Sequence, residues 1–391
     1  MYREARRYKE ASPPLDEAVS LTRDASGSDD WLTLQATHEL ALLRYVTGRW
    51  PESEALLLQC LSVAKKIHLD DDHPDVIATE NDLGELYSDW GRPTDAENYL
   101  RQSLQGYRRY MNGDSTPLVD AMANLAAELR KQQKFEEAEQ LGLEAIETAR
   151  KATETMTPAG MSWSLGDTHG YVARTYEAMG RFDDAERHFR ESYEMIRVLA
   201  EDDPYGVVSS RVHMEQDMAR IALKRGALDL AESFYRESID GILGYLVMDY
   251  NHHENHNIDW SIDGLAQVYE NRGDPERVVS FRREVLERVR ARVAQLETHR
   301  EGEERNAKAI AVGHRTIGKL LCDLGEYSQA EEILQQSVRE LADAYDTYYS
   351  KTVTAREYLA TLYTRWSKPE KAAEVLSQNT RPSALGAASS K

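Results

Sequence analysis

The densest cluster of metal-ligating side chains is the run YNHHENHN, which carries His252, His253, Glu254 and His256. Imidazoles are good zinc ligands, and His252 and His256, four apart, would share one helix face. The zinc-protease arrangement, however, places Glu directly after the first of two His four apart. Here Glu254 follows His253, whose fourth successor is Asn257, so that arrangement is not met. The expectation is a solvated loop and no metal. The runs Asp70-Asp71-Asp72 and Glu201-Asp202-Asp203 precede helices, where carboxylates cap exposed N–H groups and meet the positive helix end. Cys60 and Cys322 are too few for a disulfide scaffold and read as reduced, packed thiols. There is no phosphate-cradling Gly loop, nucleophile elbow, kinase signature or Cys-x-x-Cys pair. A non-catalytic chain without cofactors is expected.

What would position such groups is set by the rest of the chain. Its 391 residues would ordinarily form two or three globular domains. Lys and Arg number 48 against 68 Asp and Glu, a net charge of −20, which disfavours nucleic acid and anionic membrane surfaces as partners. No window approaches the ~18–20 apolar residues of a membrane helix, and MYREARRYKEASPP lacks the apolar core of a secretory signal. A cytoplasmic protein is expected.

A short turn sequence recurs along the whole chain. It reads RRYKEA at Arg6, GRWPESE at Gly48, GRPTDAE at Gly91, QKFEEAE at Gln133, GRFDDAE at Gly180, GALDLAE at Gly226, GDPERV at Gly273, GEYSQAE at Gly325 and SKPEKAAE at Ser367. Successive anchors are 42, 43, 42, 47, 46, 47, 52 and 42 residues apart. Seven residues before each anchor stands a small residue: Ala41, Gly84, Ala126, Ala173, Ala219, Ala266, Gly318 or Ala360. The residue before that is always apolar, from Leu40 to Leu359, and five after the anchor a small residue returns everywhere except Val278. Two antiparallel helices approach to about 8–10 Å only where the crossing side chains are short, so each anchor predicts a helix–turn–helix unit. Pro93, Pro275 and Pro369 in the turns suit the first helical position, where the missing N–H would be unpaired anyway.

The units LGELYSDWGRPTDAENYLRQSL (Leu83–Leu104) and VARTYEAMGRFDDAERHFRES (Val172–Ser192) resemble the tetratricopeptide repeat. With HPDVIATENDLGELY (His73–Tyr87) they are most similar to the 42-residue variant of kinesin light chains and many bacterial proteins. The resemblance covers roughly residues 2–378. It implies an all-α, right-handed superhelical solenoid of about nine helix–turn–helix units, continuous over 1–378. The first unit is truncated, and the seventh runs into lengthened, irregular helices about 276–310 that would project past the array. A disordered tail is expected over 379–391. The truncated start suggests the C-terminal part of something longer.

The resemblance also implies a concave surface built by the first helix of each unit, at offsets −13, −10, −6, −3 and −2 from the anchor. Those offsets select Arg130, Lys131, Arg174, His213, Arg220, Lys224, Trp260, Arg315 and Lys319 as candidate partner-binding residues, after an acidic entry at Asn81, Glu85, Ser88 and Asp89. Pairing of Arg174 with Glu177 or Asp167, and of Arg315 with Asp263, would neutralise much of the basic stretch. The leading functional expectation is a protein-interaction scaffold holding a peptide or protein segment, acidic in character, in that groove. The alternative is the regulatory part of a larger signalling protein, such as a bacterial serine/threonine kinase. The carboxylate clamp of tetratricopeptide co-chaperones is not carried over, because the −6 offset holds no Asn.

Overall fold

A computed structural model of the protein describes residues 8–110, 116–153, 158–202, 208–244, 258–298, 304–344 and 350–379. The His252–His256 run and the tail from 380 onward lie outside these residues. Among the described residues there are seventeen α-helices and no strand. Helix α1 (Tyr8–Ser26) is the second helix of the truncated first unit. Seven hairpins follow: α2 (Trp31–Val46) with α3 (Trp50–His68), α4 (Pro74–Asp89) with α5 (Pro93–Tyr110), α6 (Thr116–Lys131) with α7 (Phe135–Thr153), α8 (Pro158–Ala178) with α9 (Phe182–Asp202), α12 (Ile258–Asn271) with α13 (Pro275–Thr298), α14 (Glu304–Asp323) with α15 (Tyr327–Ala344), and α16 (Ser350–Arg365) with α17 (Pro369–Ser377); α10 (Val208–Lys224) and α11 (Leu228–Gly244) run between α9 and α12. The expected all-helical repeat is present among the described residues, and Pro93, Pro275 and Pro369 each open a helix.

Every hairpin turns on the anchor residue. Gly180 lies at φ 75° and its N–H donates to the Glu177 carbonyl, while the next N–H, of Arg181, donates to the Tyr176 carbonyl at 2.8 Å. This is the paired-bond helix stop in which one left-handed residue satisfies two orphan carbonyls. The same two bonds recur at each anchor, including Gln133 (φ 62°) and Ser367 (φ 59°), which hold the left-handed conformation without being glycine.

The small residues sit where the two helices cross. Ala41, Ala126, Ala173, Ala266 and Ala360 are buried, as are Ala96, Ala138, Ala185 and Ala330 on the facing helices. A Cβ on Gly84 would come within 2.6 Å of Leu100 Cγ, and one on Gly318 within 2.5 Å of Leu334 Cγ. The small residue twelve after the anchor also bonds: Ser192 Oγ donates to the Gly166 carbonyl at 2.6 Å and Ser337 Oγ to the Ala311 carbonyl at 2.8 Å. Cys60 makes the equivalent, longer contact with the Leu34 carbonyl at 3.9 Å. Its burial pushes the thiol up to about 12, so it is an inert packing group.

The chain divides into two compact units, Met1–Ala227 and Leu228–Lys391. Within them first helices touch at three places (α4 with α6, α6 with α8, α14 with α16) and second helices at one (α11 with α13), so the first helices form one shared surface, the inner one. In the second unit α13 is the longest helix, with 24 residues. It does not project as expected: Val285, Val289, Val293 and Leu296 form a buried stripe along it, and it packs on α14.

One sequence signal missed at the outset is the Glu that closes the turn motif, six after the anchor. Glu54 accepts from Tyr87 Oη at 2.8 Å and from Arg92 at 2.8 Å, both in the next unit. Glu232 likewise receives Tyr269 at 2.6 Å and Arg272, and Glu331 receives Tyr363 and Lys371. Burial opposes the Glu232 charge, but the bonds from Tyr269, Arg272 and Arg236 prevail and hold its carboxyl at about 2. Where Val279 replaces this Glu, the tyrosine of the next unit is replaced by Leu321; Glu97 and Glu186, whose next units carry Leu129 and Ala222 in place of tyrosine, keep only the cation, Lys134 and Arg225.

Relieving the left-handed strain at Gln133 should stabilise the protein. Gln133→Gly is expected to raise stability by about 0.5–1 kcal/mol and Gly180→Ala to lower it by about 1 kcal/mol, read as shifts in urea midpoint at unchanged m-value.

Candidate functional site

In the first unit the inner surface is a ladder of polar side chains joining residues about one repeat apart. At its start His38 Nε2 meets Asp82 at 2.6 Å, and Tyr45 Oη donates to Asp89 at 2.5 Å. Next, Asn81 and Asn124 both donate to Glu85 Oε1, each at 2.7 Å. Burial together with the nearby Asp82 charge pushes the Glu85 carboxyl up to about 7, against the two amide bonds. Ser88 Oγ donates to Glu128 at 2.6 Å and accepts from Lys131 Nζ at 2.6 Å.

The candidate cations of α6, α8 and α10 come together on this surface. Arg174 pairs with Asp217 at 2.7 Å, Arg220 pairs with Glu177 and Asp217, and Lys224 reaches Glu177 at 2.8 Å. His213 is half-buried on α10. Sequence reading had weighed Glu177 or Asp167 as the partner of Arg174. The geometry instead selects Asp217, 43 residues on, which is buried and faces α8 from the next first helix. Arg130 differs from the others. Its Nε is buried without a hydrogen-bond partner, as is that of Arg315, but unlike Arg315 it has no carboxylate within ion-pair distance among the described residues. Burial and the neighbouring Arg174 both lower its pKa, while Asp217 and Tyr171 act in the opposite sense. Close by, Asp167 lies on the open face of α8, yet the surrounding protein and the Asp120 charge move its carboxyl up to about 6, against Arg174.

In the second unit the inner surface is filled by its own side chains. Arg315 and Asp259 are both buried and pair at 3.1 Å, and Tyr358 Oη, 99 residues from Asp259 in sequence, donates to the same carboxylate oxygen at 3.1 Å. Lys319 bridges Asp263 at 2.5 Å and Asp323 at 3.2 Å, and Arg365 reaches Asp323 at 2.6 Å. Burial works against the Lys319 ammonium, but Asp259, Asp263 and Asp323 outweigh it and raise its pKa. Of the candidates here, Trp260 on α12 stands 47 % exposed. Tyr358 and Asp259 were not foreseen, because only stacking of three first helices brings them together.

Metal-ligating atoms converge at two places among the described residues, His68 with His73 and Asp75, and His169 with His188 and Glu191. Burial lowers the pKa of both His169 and His188 to about 4, His188 also through His169, so both rings are neutral at physiological pH.

Models of the family described as tetratricopeptide repeat match residues 32–109, 91–151 and 170–205. Residues 32–151 and 170–205 carry tetratricopeptide repeats. Among solved structures, BtubC (BKLC) from P. vanneervenii is similar with a TM-score of 0.50 and 20 % identity, over 63 % of this chain and 93 % of that one. A kinesin light chain protein with nearly identical TPR-like repeats, from Podosopora anserina, gives 0.43 and 20 %, over 52 % and 92 %. A Rap protein complexed with Competence and Sporulation Factor gives 0.49 and 16 %, over 92 % and 80 %. No curated protein matches the chain. At these identities the likeness to BtubC speaks for the repeat fold alone. Tetratricopeptide repeats are protein-interaction scaffolds, and no described helix is long and apolar enough to cross a membrane.

Two consequences of the ladder can be measured. Because the folded Glu85 carboxyl titrates near 7, above the 4.5 of a free side chain, its neutral form is favoured by folding. That contribution is complete below about pH 4.5 and lost as pH rises through 7. Glu85→Gln should therefore raise the melting temperature at pH 8 and leave it nearly unchanged at pH 4.5. In the second unit, Asp259→Ala strands the buried Arg315 charge and should cost about 3–5 kcal/mol in chemical denaturation. Pairing Asp259→Leu with Arg315→Met should recover much of that loss.

Proposed function

We propose that the inner surface of the first unit, from α4 to α10, holds an extended segment of a partner protein and that Arg130 receives a carboxylate from it. The observation that carries this reading is the contrast within one set of side chains. Lys131, Arg174, Arg220, Lys224, Arg315 and Lys319 all have hydrogen-bonding or carboxylate partners within the protein, whereas Arg130, half-buried with its Nε shielded from solvent, has none among the described residues. A desolvated guanidinium without an anion is costly, and a bidentate carboxylate is the group that best matches its planar fork. This narrows the expected partner from a broadly acidic segment to one with a single well-placed carboxylate, either a side chain or a chain terminus. Around it, Asn81, Asn124 and Glu85 offer donors and acceptors suited to a peptide backbone. Binding rather than catalysis also agrees with the use of most acids as clamps between repeats and with the raised pKa of both buried thiols.

Panning a random peptide library on the full chain tests this. Selected peptides should share a carboxylate at a fixed place. Arg130→Glu should weaken their binding by roughly 30-fold or more, about 2 kcal/mol, with Lys134→Glu on the outer face as a neutral control. Equal affinities for wild type and Arg130→Glu would overturn the assignment.

A further inference from the structure

The fifth unit, α8 with α9, departs from the repeat pattern inside its core. Eight residues after the anchor, the other units place Pro14, Leu56, Tyr99, Leu141, Phe234, Phe281, Ile333 or Val375; the fifth places His188. His188 is 7 % exposed, His169 on the facing helix is 6 % exposed, and their Nδ1 atoms lie 3.1 Å apart. Glu191, three residues after His188 and so on the same face of α9, brings a carboxylate oxygen to 2.8 Å from His169 Nδ1. Three lone-pair-bearing atoms thus converge, and a proton on His169 Nδ1 has two acceptors competing for it. Neutral imidazoles buried in an apolar slot are poorly satisfied by such sharing.

A cation answers all three at once. Zinc bonds of ~2.0–2.1 Å in a tetrahedral site set ligand atoms roughly 3.3 Å apart, so the 3.1 Å and 2.8 Å separations from His169 Nδ1 need open by only a few tenths of an ångström, and the three ligand atoms all lie within 4.8 Å of one another. We propose that His169, His188 and Glu191 form a transition-metal site, with zinc the ion best suited to two imidazoles and a carboxylate. Glu191, 46 % exposed, lies at the solvent side, where the ion enters and where water completes its coordination. The metal staples α8 to α9 behind the face that carries Arg174 and Glu177. His68, His73 and Asp75 make a weaker candidate, because His73 Nδ1 already accepts the Asp75 backbone N–H at 3.2 Å as a helix cap.

Isothermal titration of zinc chloride into the full chain, freed of metal by chelator dialysis, tests the site. One equivalent per chain is expected, together with a zinc-dependent rise in melting temperature. His188→Leu restores the side-chain type of the other units and should fold normally. It should lose the thermal shift and bind at least about tenfold more weakly, whereas His68→Gln should behave as wild type. Absence of binding in the wild type, or binding and thermal shift unchanged in His188→Leu, would overturn the proposal.

Discussion

Everything in this protein is registered by the stop at the end of each first helix. One residue in the left-handed conformation satisfies two carbonyls, reverses the chain, and fixes where the second helix begins. Because the turn is so short, the small residue seven before it must meet the residues after it, and Gly84 against Leu100 shows how little room is left. Similar hairpins then stack at similar offsets, so that a side chain in one unit faces a side chain about one repeat later. The ladders and clamps are consequences of that register.

The net charge of −20 takes on a definite organisation in this light. Much of the acid is not a diffuse solvating coat. Glu54, Glu232 and Glu331 each hold a tyrosine and a cation of the following unit, and Asp217, Glu177, Asp259 and Asp323 hold the cations of the inner surface. Exposed ion pairs are individually weak, but repeated between rigid neighbours they choose one stacking register over others. The second unit carries this furthest, with a buried pair and a tyrosine spanning three first helices.

Against so regular a background, exceptions become informative without any relative to compare. Arg130 stands out because the other basic residues of the predicted groove are matched, and His188 because the other units place apolar side chains or proline in its slot. Neither residue is unusual by type. Both are polar side chains whose surroundings break the pattern of the repeat.

Spacing alone determined the helical class, the hairpins, the turn residues and the buried positions. Leu83, Gly84 and Ala96 could be read directly, because local packing repeats with the chain and leaves a period in its letters. The same local logic placed Gln133 and Ser367 as turn anchors, although neither is glycine. The pairing of charges could not be read this way. Arg174 had acids near it in sequence, yet meets Asp217 one repeat away, and Asp259 waits for Tyr358 two repeats on. Nor did spacing foretell that the extended α13 would lie down on α14, or that His169 and His188 would touch across a hairpin. Periodicity records which face is buried; which polar side chains meet depends on distances between helices, and those exist only once the units have stacked.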